Sequence, residues 1–553
     1  MKKKLFVALA ALGFVACDNS DLNDVNNAHP GEVETSYIAI NLNAVDNSTR
    51  AEGTFQDGLD AEREVKSAYF FFFDQYGNPF TVTAEAEKPA TAPRGTVNWI
   101  SANLGNNTSK TEATNVSDIK NAVLLLSTYA GMYPSQIVAV LNWAPTASEP
   151  YSLNDLYAAT NIQGNDNAFV MSNAVYADGS NKEVVGTPLT SDYIHKSETD
   201  ALAHPITIYV ERIAAKVTVT ANNTVTDNRF KVTKPVTIGG SNKDVYVQVK
   251  GWGLHNDFTQ SKLLKDIDPT WEGLGFTWND AEWHRCYWAN SLPFSHIEPS
   301  NDFPEDFPYA LGYSTQVAAG TYADNTYTYI GENTNYALAN AAQCTKIIIK
   351  AELQEMVGEE YKPLALARWY ATYYAGEDDL RTAVASTIQY QYYWSADENS
   401  YTKIAKEDLQ VVADGNMAKF QLSTEIGATR NWYIKTGDTY TSKTIEEMNA
   451  LLGGIEKAVY YKSGETLYSV DIAHLGYQNE DKLGRYGVVR NHIYNIILKS
   501  FGGFGSPVYV PGSNLEYPDD PYYDPKDYVS AEVRVLSWRL VSQEVDVQPS
   551  PQP

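Results

Sequence analysis

From Thr35 to Ala44 the chain alternates, with Ile38, Ile40 and Leu42 on one side and Tyr37, Ala39 and Asn41 on the other. A period of two over that length predicts a half-buried β-strand. A polar loop follows, Asp46 to Gly53, whose basic residue is Arg50. The stretch Val65 to Asp74 is densely apolar, with Phe70 to Phe73 in succession, and ends at the turn signal Gln75-Tyr76-Gly77-Asn78. Further strands are predicted over Val123 to Tyr129 and Gln136 to Trp143, a short helix over Leu153 to Ala159, and one long strand over Pro205 to Thr220. After about Ala221 the pattern restarts. Strands are expected at Asp244 to Leu254, Thr326 to Gly331, Lys346 to Leu353, Lys419 to Leu422, Val459 to Tyr461, Leu467 to Ile472 and Val488 to Ser500. Two helical patches, Asp379 to Ile388 and Ile445 to Leu452, interrupt them. Strands punctuated by turns, with few helices, predict sandwiches and not βαβ units.

The rhythm changes near the C-terminus. Phe501 to Asp527 holds Gly502, Gly503, Gly505 and prolines 507, 511, 518, 521 and 525. Proline removes ladder donors and favours extended backbone, so this stretch reads as a semi-rigid linker, with Gly502 to Gly505 as a hinge. Tyr528 to Val547 then alternates again. Val529, Ala531, Val533 and Val535 share a face, and a shift near Ser537, the mark of a bulge, hands that face to Trp538 and Leu540. A strand therefore stands apart at each end of the chain. A sheet lacking a strand exposes unpaired backbone that another chain can fill, and a head-to-tail contact of that kind does not close, so it builds a filament.

Composition narrows this further. The 553 residues suffice for two large domains or three small ones, and 39 Tyr with 11 Trp favour pleated, half-buried surfaces. A net charge of −26 argues against nucleic acid as a partner and suits a secreted chain kept soluble by self-repulsion. Lys2 to Lys4 precede the apolar run Leu5 to Val15, which is too short to span a bilayer and reads as a signal peptide over residues 1–16. Ala16-Cys17 resembles a lipobox, with Cys17 as the lipidated first residue. Asp18, Asp21 and Asp24 resemble the export tether of Bacteroidia lipoproteins. An ordinary signal peptide is the alternative.

Cys286 and Cys344 remain, enough for one disulfide at most, and their pairing and two free thiols are both left open. There is no CxxC motif and no Cys/His cluster for zinc. His284 lies among Trp283, Tyr287 and Trp288 and reads as aromatic core. Glu62-Arg63-Glu64 and Glu377-Asp378-Asp379 read as solvated charge. Tyr390 to Trp394 reads as core or subunit interface ahead of a carbohydrate contact. No GxSxG elbow accompanies His492, so it reads as structural. No catalytic residue, cofactor or metal is expected.

Several stretches carry a family likeness. They are the Cys17 lipobox, Ile38 to Gly53, Val210-Glu211-Arg212-Ile213-Ala214-Ala215-Lys216-Val217, and Glu332-Asn333-Thr334. The two most specific are Tyr486-Gly487-Val488-Val489-Arg490-Asn491-His492-Ile493-Tyr494 and Val533-Arg534-Val535-Leu536-Ser537-Trp538. Through them the chain resembles the fimbrial major-subunit family of Bacteroidia, the type V pilins, and especially the subunit of short (minor) fimbriae.

The resemblance implies a mainly β fold, with two tandem transthyretin-like Greek-key sandwiches, a few short helices and a C-terminal donor-strand arm. The parts would be a signal peptide (1–16), a lipidated propeptide with a removable strand (17–50), sandwiches over 51–221 and 222–502, a linker (503–527) and a donor strand (528–553). It implies a palmitoylated precursor at the outer membrane, cut by an Arg-specific, trypsin-like protease between Arg50 and Ala51, with Arg63 as the competing site. The strand of Ile38, Ile40 and Leu42 would be lost, and the C-terminal strand of a neighbour would fill the groove. The partners implied are identical subunits with tip and anchor subunits, in a surface fimbria that supports adhesion. A tip or accessory adhesin, or a glycan-binding surface lipoprotein, are the alternatives.

Overall fold

The computed structural model describes residues 33–44, 55–57, 59–82, 97–102, 122–129, 132–146, 149–164, 167–177, 183–221, 226–233, 235–255, 258–267, 288–292, 327–334, 345–415, 417–472, 474, 487–507 and 529–539. Cys17, Arg50, Ala51, Cys286, Cys344 and Leu540, and with them the lipidation, cleavage and disulfide expectations, lie outside the described residues.

The described chain is mainly β, with several sheets and a few short helices. It opens with β1 (Val33–Ala44) and β2 (Phe55–Asp57), and passes through α1 (Asp60–Arg63) to β3 (Ala68–Phe73), β4 (Trp99–Ala102), β5 (Ala122–Tyr129), β6 (Gln136–Leu141) and β7 (Met171–Asn173). Helix α2 (Glu198–Ala203), capped by the Ser197 hydroxyl, leads into β8 (Ile206–Arg212). All of these strands except β2 form the first sheet, in the order β4-β3-β6-β7-β8-β1-β5, with Thr187–Pro188 paired to β6 off that path. Phe70 to Phe73 are all buried, so both faces of β3 are covered, which is why that stretch is continuously apolar.

The predicted long strand Pro205 to Thr220 is two strands. β8 ends at Arg212, and β9 (Ala214–Ala221) begins a different sheet. No glycine or proline marks the break at Ile213; the change of sheet itself makes it. The second sheet runs β11-β9-β14-β15-β2, where β11 is Tyr327–Gly331, β14 is His492–Phe501 and β15 is Val529–Arg539. A third sheet is centred on β10 (Tyr246–His255), β12 (Lys346–Val357) and β13 (Glu465–Asp471). Val217, Val219, Ile496 and Leu498 of the second sheet share one core with Val247, Ile347, Ile349 and Tyr468 of the third, as a sandwich requires.

A further core was not anticipated. Between Leu366 and Tyr460, helices α3 (Gly376–Ile388) and α4 (Ile445–Gly453) pack Leu380, Val384, Met448 and Leu452 against Trp369, Phe420 and Trp432. Helix α4 starts at a reciprocal cap, in which the Glu447 amide donates to the Thr444 hydroxyl (3.2 Å) and the Thr444 amide donates to the Glu447 carboxylate (2.9 Å). Glu377-Asp378-Asp379 forms the first turn of α3, and Lys406 and Arg381 hold the Asp378 carboxyl below the usual carboxylate range. Tyr392 and Tyr393 are buried in this region, while Tyr390 is 66% exposed.

Three expectations are corrected. The glycine stretch before the linker is packed: Phe501 and Phe504 are buried, the Tyr461 hydroxyl donates to Gly505 O (2.7 Å), and Ser506–Pro507 pairs with β13. Phe504 is an aromatic anchor that holds the backbone a hinge would need to free. The register irregularity opposite β15 falls between Leu498 and Ser500 of β14, and pairing is continuous through Ser537. Glu62 is buried, for reasons given below.

Candidate functional site

The two end strands have seats of the same design. β1 pairs antiparallel with β5 over Val33 to Ile40 and parallel with β8 over Ile40 to Ala44. β15 pairs antiparallel with β14 over Val529 to Ser537 and parallel with β2 over Ser537 to Arg539. Each strand thus has an antiparallel neighbour along its leading part and a parallel neighbour along its end, with the changeover at a single residue, Ile40 or Ser537. In this chain the C-terminal strand is seated in its own second sheet, which differs from the freely hanging arm expected from the sequence.

The seat of β1 is apolar. Ile38 and Ile40 are fully buried beside Leu124 and Leu126 of β5 and Ile206, Ile208 and Val210 of β8. Burying side chains of this size is worth about 1.5–3 kcal/mol each, so β1 contributes substantially to the first core. The pairing of Leu42 with Ile208 continues the ladder. For β15, the backbones of Val529, Ala531, Val533, Val535 and Trp538 all lie in the second sheet.

Between the two seats lies a buried charged hub, in which Glu211, Arg212, Lys216, Glu332 and Arg490 come from the stretches that carried the family likeness, and Glu62, Lys265 and Tyr329 do not. Glu62, on α1, accepts from Lys216 Nζ (2.7 Å), from the Leu59 amide (2.7 Å) and from the Tyr329 hydroxyl. Its main-chain oxygen accepts from Arg212 Nε (2.8 Å). Glu211 pairs with Lys265 at 2.9 Å, both fully buried. Burial pushes the Glu211 carboxyl up from its ordinary value, opposed by the Lys265 and Arg490 charges. Arg490 donates to Glu332 from Nε (3.1 Å) and Nη2 (3.0 Å), and to the carbonyls of Leu263 (3.3 Å) and Lys262 (2.8 Å).

The turn before β14 is built for this. Gly487 has φ +137°, and a Cβ there would stand 2.7 Å from Trp288 and 2.9 Å from Asn333 O. Asn491 adopts the left-handed φ of +57° that asparagine tolerates, and its amide donates to Ala214 O (2.7 Å). His492 Nδ1 lies 2.7 Å from Arg490 O and must therefore carry the proton. His474 Nδ1 lies 2.9 Å from the Tyr494 hydroxyl, whose oxygen accepts from the Val489 amide (2.8 Å). Burial, helped by the Lys265 charge, lowers the His474 pKa from 6.5 to about 3.

Charges buried this completely act as pins: removing one partner strands the other, at a cost of about 3–5 kcal/mol. The hub fastens the end of β8 and the start of β9 to α1, β11 and the turn before β14, that is, the first sheet to the second. Glu62 was missed in the sequence because its partner Lys216 is 154 residues away. Among the described residues, no group of three or more His, Cys, Asp and Glu side chains is gathered as a metal site requires.

Residues 459–544, which include β14 and β15, match the family described as major fimbrial subunit protein type IV, fimbrillin, C-terminal. The likeness to a major fimbrial subunit family is thus shown over that part of the chain. Among solved structures, a putative cell adhesion protein from Parabacteroides distasonis is 10% identical, covering 93% of this chain and 100% of its own, with a TM-score of 0.39. A fimbrilin (FimA) from Porphyromonas gingivalis is 13% identical, with 92% and 98% covered and a TM-score of 0.36. The tip fimbrial protein Mfa3 from Porphyromonas gingivalis, truncated at its C-terminus, is 11% identical, with 91% and 100% covered and a TM-score of 0.29. Likenesses this distant carry no argument about fold or role. No curated protein matches the sequence significantly.

Proposed function

We propose that the chain is the structural subunit of a cell-surface fimbria and polymerises by exchanging end strands. A lipidated precursor, anchored through Cys17, is cut between Arg50 and Ala51. β1 leaves, and the C-terminal strand of the next copy takes its place between β5 and β8. The observation that carries this reading is the matched design of the two seats: a strand that already lies between an antiparallel and a parallel neighbour finds the same polarity in the vacated groove. The fimbrillin match over the region holding that strand supports it independently.

The surroundings of Arg63 support the cut at Arg50. Arg63 closes α1 between the buried Glu62 and, two residues on, the buried Val65, whereas a protease needs accessible, extended backbone. The mature subunit would keep both domains expected over about residues 51–221 and 222–502, with the change of sheet at Ile213 drawing the start of the second forward. Tip and anchor subunits would complete the fimbria. A tip subunit that donates to no neighbour would also keep β15 in its own sheet, so that position favours the tip reading as the second one.

Limited trypsin treatment of purified precursor tests both. The stalk reading predicts chains beginning at Ala51 that form ladders on unboiled SDS gels, and loss of those ladders when residues 528–553 are deleted. Cut chains that stay monomeric favour the tip. Intact monomers that bind glycans favour a surface lipoprotein of another kind.

A further inference from the structure

β2 is short and oddly placed. Among the described residues, Phe55, Gln56 and Asp57 pair with the end of β15, opposite Ser537, Trp538 and Arg539, and they turn it from an exposed edge into a covered strand. On its C-terminal side β2 runs directly into α1, where Glu62 is pinned by Lys216, Tyr329 and Arg212. On its N-terminal side the chain leads back to β1, seated in the first sheet. β2 is therefore anchored at both ends while the chain is intact. The proposed cut falls four residues before Gln56's neighbour Phe55 and leaves β2 anchored at one end only.

We propose that β2 is a latch on the C-terminal strand, and that the cut which releases β1 also loosens β15 in its own sheet. This inference rests on the cleavage and donor roles proposed above. Its physical basis is end fraying. A three-residue strand beside a free chain end loses its few ladder bonds far more often than one held on both sides. Once β2 opens, Trp538 and Arg539 lose their partners and β15 can peel from β14 starting at Ser537. One processing event would then prepare both partners of the exchange, the groove and the strand that fills it. A single mutation that opened only one of them would not assemble a filament.

Amide hydrogen exchange of residues 529–539 tests the latch without any polymer, in dilute monomer before and after cutting at Arg50. Protection of Ser537 to Arg539 is expected to fall about tenfold or more on cutting, the effect of losing one or two backbone hydrogen bonds. Unchanged protection overturns the proposal, whether or not the chains later polymerise. A second measurement fixes the latch covalently, pairing Phe55→Cys with Ser537→Cys, which face each other in register. Oxidised, the cut double variant should form no ladders, and reduction should restore them to the level of the single variants. Oxidised chains that polymerise as well as reduced ones overturn the latch alone. Reduced variants and wild-type chains that are cut at Arg50 and never polymerise contradict the donor role itself.

Discussion

The seats of β1 and β15 follow one plan and are held by different means. Along the leading part, β1 has eight register pairs with β5 and β15 has nine with β14, so their antiparallel pairing is nearly equal. The parallel side separates them. β1 has five pairs with β8, whose Ile206, Ile208 and Val210 belong to the first core, whereas β15 has three pairs with β2. β1 is thus held by the core and by its covalent link. β15 is held at its end by a fragment that lies next to the proposed cut. The comparison teaches that two strands of similar docking can differ in how they are let go. Under the proposed exchange, one would leave only when the chain is cut, and the other would begin to peel from β14 once its short neighbour opens.

The largest effect expected from breaking this comparison is on assembly. Arg50→Ala should abolish ladder formation by protease-treated precursor while leaving a folded monomer, as read on unboiled gels. Ladders of normal abundance in that variant would remove the cut from the account. Next come the buried ion pairs of the hub. Arg490→Ala or Glu332→Ala leaves a buried charge without its partner and should lower unfolding free energy by about 3–5 kcal/mol, measured by denaturant titration. Losses below 1 kcal/mol would mean that this buried pair does not pin the turn before β14 to the end of β11.

Ile40→Ala sharpens the contrast between precursor and mature chain. It should destabilise the precursor by about 2–5 kcal/mol, the usual cost of a large-to-small change in a core. Chains from which β1 has been removed should not register it. The last effect concerns acid, and it is smallest near neutral pH. Because the folded-state pKa of His474 is lowered to about 3 from 6.5, the unfolded chain binds the proton more readily between those values. Stability is therefore lost as pH falls through that window, by about 1.4 kcal/mol per pH unit for this group, and none of it above pH 6.5. His474→Asn should flatten that part of the pH dependence, measured by thermal unfolding between pH 7 and pH 4.

Much of the local structure was legible in the sequence because it is written in short-range pattern. The alternation of Thr35 to Ala44 became β1, and the helical spacing around Leu380 and Met448 became α3 and α4. What was not legible depends on contacts distant along the chain. Glu62, flanked by charged residues, looked solvated, and only the fold brings Lys216, Arg212 and Tyr329 to it. The break at Ile213 has no local signal. The Arg490 turn was recognisable as a likeness, but its reasons, a left-handed Asn491, a crowded Gly487 and a buried carboxylate at Glu332, exist only once the sheets are packed. The end strands were visible as separate segments. The seat of β15 in its own sheet was not, because β2 is too short to announce itself.

The most direct test of strand exchange is the first residue of protomers taken from native filaments, dissociated and sequenced from the N-terminus. The account predicts Ala51, with residues 33–44 absent from the polymer. Protomers that begin at Cys17 and still carry β1 between β5 and β8 would contradict it.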